Sequence, residues 1–269
     1  MTNIRLTTLT NSSHTSKADD ITLVFLHGLL GSSSDFIPVI TALGKRYHCI
    51  SVDLPGHGDS VDITVDDFAH FRILLAPVLA SLSRYILVGY SLGARLVMDY
   101  AANSADKKLM AIVIENGNTG LIDNMEKEQR WQNDLSWGQR FDSEDIVTVL
   151  RDWYRQPVFK SLNAADQNKA VRSRQYNNGP AIAKMLRATS LAKQSCFLDS
   201  MQLQQVERLF IAGDEDIKFL TIAKKSGWPL SIVVGAGHNV HHQFPERFGA
   251  IIENYIERLN FKKVDTTNG

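Results

Sequence analysis

Tyr85-Ile86-Leu87-Val88-Gly89-Tyr90-Ser91-Leu92-Gly93-Ala94-Arg95 is the stretch on which the fold turns. A short apolar run of strand type enters Gly-x-Ser-x-Gly, and a helical-period run begins at Leu92 with no spacer between them. A strand that becomes a helix within one turn forces backbone atoms close together. Glycines at 89 and 93 keep Cβ atoms out of that space and leave the Ser91 hydroxyl exposed at a helix N-terminus. An ordinary Gly-Ser turn would need neither the strand before it nor the helix after it.

Other Val- and Ile-rich runs lie at 21–26, 47–52, 109–114, 209–212 and 230–234, most of them followed by Gly or Asp, and read as buried parallel strands. Helical periodicity occupies 36–43, 67–82, 92–102 and 245–259, and strand alternating with helix predicts an α/β domain whose mostly parallel sheet is flanked by helices. Residues 4–9 alternate and predict an antiparallel edge strand, while the polar tail after Phe261 is expected to fray. No strand-like run falls between 118 and 205. Helical stretches at 125–141, 143–154, 164–176 and 180–193 are punctuated there by Pro157 and by Asn177-Asn178-Gly179. We read 1–117 and 206–269 as the core and 118–205 as an inserted helical lid over the catalytic edge of the sheet.

With 29 Lys and Arg against 29 Asp and Glu, the 269-residue chain has no net charge, which argues against nucleic acid or an anionic membrane as its main partner. Its 44% hydrophobic residues suffice for one sizeable core without staples. Cys49 and Cys196 match no zinc or redox spacing and are expected to be free thiols of a reducing compartment. No apolar run approaches bilayer length and residues 1–20 carry no apolar signal core, so a cytoplasmic protein without membrane insertion is expected. The turn Asp53-Leu54-Pro55-Gly56-His57-Gly58 does not continue into G-x-G-x-x-G, and no cofactor or metal is expected.

A Ser elbow of this kind orders its partners as serine, acid and histidine, each at the C-terminal end of a strand. Asp216, in Gly213-Asp214-Glu215-Asp216, is the expected acid, with Asp214 or Glu215 as alternatives. His238, after Gly237, is the expected base in preference to His241 and His242, which read as a solvated helix start. Carbonyl chemistry also needs an oxyanion hole. In this architecture one N–H comes from the loop after the first buried strand, here His27-Gly28-Leu29-Leu30-Gly31, and another from the residue after the serine. The donors are therefore assigned to the amides of Leu29 and Leu92, and His27 is read as a structural loop residue.

Through the His27-Gly28 loop, the Asp53 to Gly58 turn, the Ser91 elbow, Asp216 and His238, the chain resembles the α/β-hydrolase superfamily over nearly its whole length. Arg130-Trp131-Gln132, the run from Asp152 to Phe159, Asn177-Asn178-Gly179 and Gly237-His238-Asn239 further resemble the pyruvate-eliminating lyases of menaquinone biosynthesis within it. The departures are Leu29, where an aromatic residue is expected, and Ala94, where glycine is. The resemblance implies an α/β-hydrolase fold and a carbon–oxygen lyase acting on a small tricarboxylate enolpyruvyl ether, with Ser91, Asp216 and His238 as catalytic residues. It also implies Arg95, Arg130 and Arg174 as carboxylate contacts and Tyr90 and Trp153 as pocket lining. A monomer or weak homo-oligomer is expected. A carboxylester or carbon–carbon bond hydrolase with the same triad, or a ligand-binding member that has lost catalysis, are the other readings.

Overall fold

The computed structural model describes residues 8–10 and 21–266. In chain order it contains β1 (Thr8–Thr10), β2 (Ile21–Leu26), α1 (Ile37–Leu43), β3 (His48–Val52), α2 (Phe68–Ala80), β4 (Arg84–Tyr90), α3 (Leu92–Asn103) and β5 (Leu109–Glu115). Helices α4 (Asn124–Ser143), α5 (Ile146–Trp153), α6 (Ala164–Arg174) and α7 (Gly179–Ala188) then intervene. The short α8 (Met201–Gln204) leads to β6 (Glu207–Gly213), α9 (Ile217–Ser226), β7 (Leu230–Val233), α10 (Val240–Gln243) and α11 (Pro245–Thr266).

The sheet runs β1-β3-β2-β4-β5-β6-β7, parallel except for β1, which pairs antiparallel with β3. That edge strand was expected over 4–9; residues 4–7 lie outside the described part. All six residues of β2 are buried, as a strand covered on both faces must be. Successive side chains part to opposite faces: Leu23 and Phe25 join a cluster with α1 and α11, and Val24 and Leu26 one with α2 and α3. The chain places β3 on one side of β2 and β4 on the other, so the strand order reverses there. Leu26 registers with Gly89 across this junction, which brings the loops after β2 and β4 together at the carboxyl edge.

A third cluster, built from Phe141, Val149, Leu150, Ile182 and Leu186, holds the intervening helices together. Their starts are set by side-chain caps. Asp123, Asp145, Asn163 and Asn178 each accept a backbone N–H of the first turn. The helix expected from 143 therefore begins at Ile146, behind Asp145. The one expected to run to 193 stops at Ala188, because Thr189 turns out of the helix and Ser190 recaps a 3₁₀ turn over Leu191–Lys193. Helix α11 continues past Phe261 to Thr266, and Val234 leaves β7 and lies exposed. Cys49 and Cys196 are not joined in a disulfide; burial pushes the Cys49 thiol up to about 12. Among the described residues no helix is long and apolar enough to cross a membrane.

Candidate active site

Ser91 closes β4 in a strained backbone conformation, φ 51° and ψ −103°, that non-glycine residues rarely adopt. A Cβ on Gly89 would lie 2.5 Å from the Gly93 carbonyl group, and one on Gly93 would overlap the Leu26 carbonyl oxygen. The elbow thus needs both glycines for packing, as the spacing implied. Ala94 is wholly buried against Gly89 and Gly117, so its departure from glycine does not reach the site.

Ser91 Oγ lies 3.3 Å from His238 Nε2, and His238 Nδ1 lies 2.6 Å from Asp216 Oδ2. Asp216 and His238 are each 5% exposed. The second Asp216 oxygen accepts the Phe219 N–H at 3.2 Å, so this carboxylate also caps α9, a helix that periodicity did not reveal. Asp214 spends its Oδ1 on the Gly235 N–H and Glu215 is exposed; neither meets His238. The end of β5 holds both parts of the site: Asn116, just beyond the strand, donates its Nδ2 to the His238 carbonyl at 2.7 Å, and the Ser91 N–H of the elbow donates to the Glu115 carbonyl at 2.9 Å. His241 is not solvated as expected. It is fully buried, with both its backbone N–H and its Nδ1 on Glu115, because its helix turns this residue inward between Phe36 and Tyr90.

A cavity of about 90 Å³ opens beside Ser91, lined by Leu29, Leu92, Arg95, Asn118, Arg130, Trp153, Lys218 and Phe219 among others. Leu92 is the first residue of α3, so its N–H is one of the four a helix leaves without an internal acceptor. Arg95, one turn beyond Ser91, is buried and forms no ion pair among the described residues. Its Nη1 donates to the Thr189 carbonyl at 2.7 Å and, longer, to Gln194. Burial and then the like charge of Arg130 pull its pKa down to about 9, leaving it cationic at neutral pH. Arg130 gives its Nε to both oxygens of buried Asp134, which Ser190 also holds.

Two expected contacts fall elsewhere. Tyr90 does not line this cavity. It is buried behind His238 at 5.3 Å between ring centroids and donates its hydroxyl to Asn239, since the strand's last residue points beneath the loop rather than over it. Arg174 lines two other cavities and is paired at 2.7 Å with Asp35 of the loop after β2. Lys218 was missed. The signal was its place two residues after the acid, where the first turn of α9 faces the same strand edge. Burial, then the nearby Arg130 charge, lowers its pKa.

The Asp35–Arg174 pair has a consequence for acid stability. Burial raises the Asp35 carboxyl, but the charge and hydrogen bond of Arg174 outweigh it and hold the pKa at about 2, below its ordinary 3.8. A depressed carboxylate contributes stability above its unfolded value that disappears as pH falls through the folded one. Roughly 2 kcal/mol is therefore present above about pH 4 and lost toward pH 2. Chemical unfolding at pH 6, 4, 3 and 2 should show a smaller acid loss for Asp35→Asn than for wild type; parallel curves would remove this role.

The match to known proteins follows the same lines. The model of the alpha/beta hydrolase family matches residues 23–251. The chain is 38% identical over 242 residues, 89% of it and 94% of the relative, to 2-succinyl-6-hydroxy-2,4-cyclohexadiene-1-carboxylate synthase of Serratia proteamaculans. It is 40% identical to that of Yersinia pseudotuberculosis, over 88% of this chain and 87% of the relative. The structure of MenH from S. aureus superposes with a TM-score of 0.85 at 26% identity, covering 97% of this chain and all of that one. The elbow, the Ser91–His238–Asp216 geometry and these likenesses agree: the chain belongs to the 2-succinyl-6-hydroxy-2,4-cyclohexadiene-1-carboxylate synthase family of the α/β hydrolases.

Proposed function

We infer that this protein is the carbon–oxygen lyase that eliminates pyruvate from 2-succinyl-5-enolpyruvyl-6-hydroxy-3-cyclohexene-1-carboxylate, giving 2-succinyl-6-hydroxy-2,4-cyclohexadiene-1-carboxylate. The observation that carries the assignment of roles is the convergence of Ser91, Arg95, Arg130 and Lys218 on one cavity, because a simple ester gives no reason for three cations around the elbow. His238 Nδ1–H donates to Asp216, leaving Nε2 as the base that accepts the Ser91 proton. The serine oxygen takes the ring proton beside the succinyl carbonyl; the C–H electrons form the 2-ene, the electrons of the existing 3-ene move to position 4, and the ether C–O bond at C5 breaks with its electrons on the departing oxygen. The departing enolpyruvate is protonated at carbon to pyruvate. The Leu29 and Leu92 amides stabilise the enolate charge that develops on the succinyl carbonyl.

Residues 118–205 act as a lid in this reading. A cavity of about 90 Å³ is well below the space that medium-sized ligands occupy, so Trp153, Leu186 and Leu191 in its roof must shift for the substrate to enter. Incubation with the enolpyruvyl ether, with pyruvate followed against an enzyme-free control, tests the activity. Mass spectrometry of protein quenched during turnover tests the class. No adduct on Ser91 is expected, whereas an acyl-enzyme from the natural substrate would make the protein a hydrolase.

Lys218 supplies the third carboxylate contact in place of Arg174. Lys218→Met should raise KM about 3- to 30-fold while leaving kcat within about twofold, the share of one charged hydrogen bond at a partly open rim. An unchanged KM would return that contact to Arg174.

A further inference from the structure

In the loop after β2, the Gly31 N–H closes on the Gly28 carbonyl at 3.0 Å, making a tight turn with Leu29 and Leu30 at its centre. Leu30 occupies the third place with φ 70°, where glycine or asparagine is the usual occupant. A leucine persists there only when its surroundings over-determine it, and three contacts do so. Its N–H donates to His57 Nε2 at 3.1 Å. Its carbonyl accepts from Asn177 Nδ2, in the helical insertion, at 3.0 Å. Its side chain is wholly buried in the apolar cluster of that same insertion.

His57 is built as a fixed acceptor. Its Nδ1 lies 2.9 Å from the Pro55 carbonyl, which can only accept, so Nδ1 carries the proton and Nε2 is free to receive Leu30. Burial holds its pKa at about 3, so the ring stays neutral. Its loop is tied to the same turn by Asp53, whose carboxylate accepts the N–H groups of Ser33 and Asp59. Leu30 is thus gripped at its N–H by the core and at its carbonyl and side chain by the insertion, one peptide away from the Leu29 N–H.

We propose that His57 and Asn177 are positioning residues: by gripping Leu30 from opposite sides they aim the Leu29 N–H at the charge that develops beside Ser91, and the donor is complete only when the lid is seated. This rests on reading the Leu29 amide as an oxyanion donor. A small misdirection of a preorganised donor weakens it without changing how substrate is held, so the effect belongs to kcat.

Asn177→Asp keeps size while replacing the donor shared by the Leu30 and Arg174 carbonyls with a carboxylate, at a residue that is only half-buried. Two rates are read: pyruvate release, and phosphonylation of Ser91 by a fluorophosphonate followed by intact mass, which needs the same donors but not the natural substrate. Both should fall about tenfold, with KM within about twofold. The control is Asn178→Ala, which removes the cap of α7 next door without touching Leu30 and should lower the melting temperature while leaving phosphonylation unchanged. Unchanged phosphonylation in Asn177→Asp, or an equal slowing in Asn178→Ala, would overturn the proposal. Slower phosphonylation with normal pyruvate release would uphold the grip on Leu29 and overturn instead the part given to that amide in the elimination.

Discussion

Ser91→Ala, His238→Ala and Asp216→Asn are each expected to lower kcat by about 10²- to 10⁴-fold, the range that a positioned general base supplies. Asp216→Asn is the sharpest of the three. Asparagine caps helices as well as aspartate does, so the N–H of Phe219 keeps its partner and α9 should stay folded. An amide facing Nδ1 offers a donor where the imidazole needs an acceptor, and the ring then turns its proton toward Ser91, leaving no base. Thermal unfolding should move by no more than a few degrees while turnover collapses. Combining Ser91→Ala with His238→Ala should cost little more than either alone, because the two act as one unit. Steady-state kinetics of pyruvate release decides this. Near-normal turnover in Asp216→Asn beside an inactive Asp214→Asn would move the acid to Asp214.

Arg95→Ala should reduce kcat/KM by roughly 10- to 150-fold, the equivalent of a hydrogen bond to a charged group. A buried guanidinium with neutral acceptors and no carboxylate is incompletely compensated, and an incoming carboxylate supplies the missing charge. Lysine should rescue only partly, since it lacks the planar fork that meets both carboxylate oxygens. Arg130→Ala should cost less in recognition, because Asp134 already engages its Nε edge. Arg174→Ala should behave differently again. Its main loss is in stability, as Asp35 is left buried and unpaired, with a smaller change in kcat/KM than at Arg95. Rising salt should weaken substrate capture in wild type and less so in Arg95→Ala. If Arg95→Ala and Arg130→Ala both handle the tricarboxylate as wild type does, the cationic cavity is not the binding site, and the assignment of roles built on it fails.

What was legible in the sequence is what neighbouring residues impose on one another. The strand at 85–88, the glycines at 89 and 93 and the helix from Leu92 constrain a turn only a few residues long, so the elbow could be read without knowing what surrounds it. The strands and the order of serine, acid and histidine followed, because periodicity and chain direction are also local properties. Caps at Asp145 and Ser190 lie within the same range, and they, not the apolar periodicity, set two helix ends at Ile146 and Ala188. Tertiary structure decided the rest. Arg95, Arg130 and Arg174 look alike on their helices, yet Arg174 finds Asp35 139 residues away and is drawn from the Ser91 cavity, while Lys218 is brought to its rim. Leu30 shows the limit most plainly: leucine argues against a left-handed turn, and His57, Asn177, the latter 147 residues distant, and the apolar cluster of the insertion hold it there. Charge pairing and stored strain depend on which groups the completed fold brings within about 3 Å and shields from water, and no spacing rule along the chain carries that information.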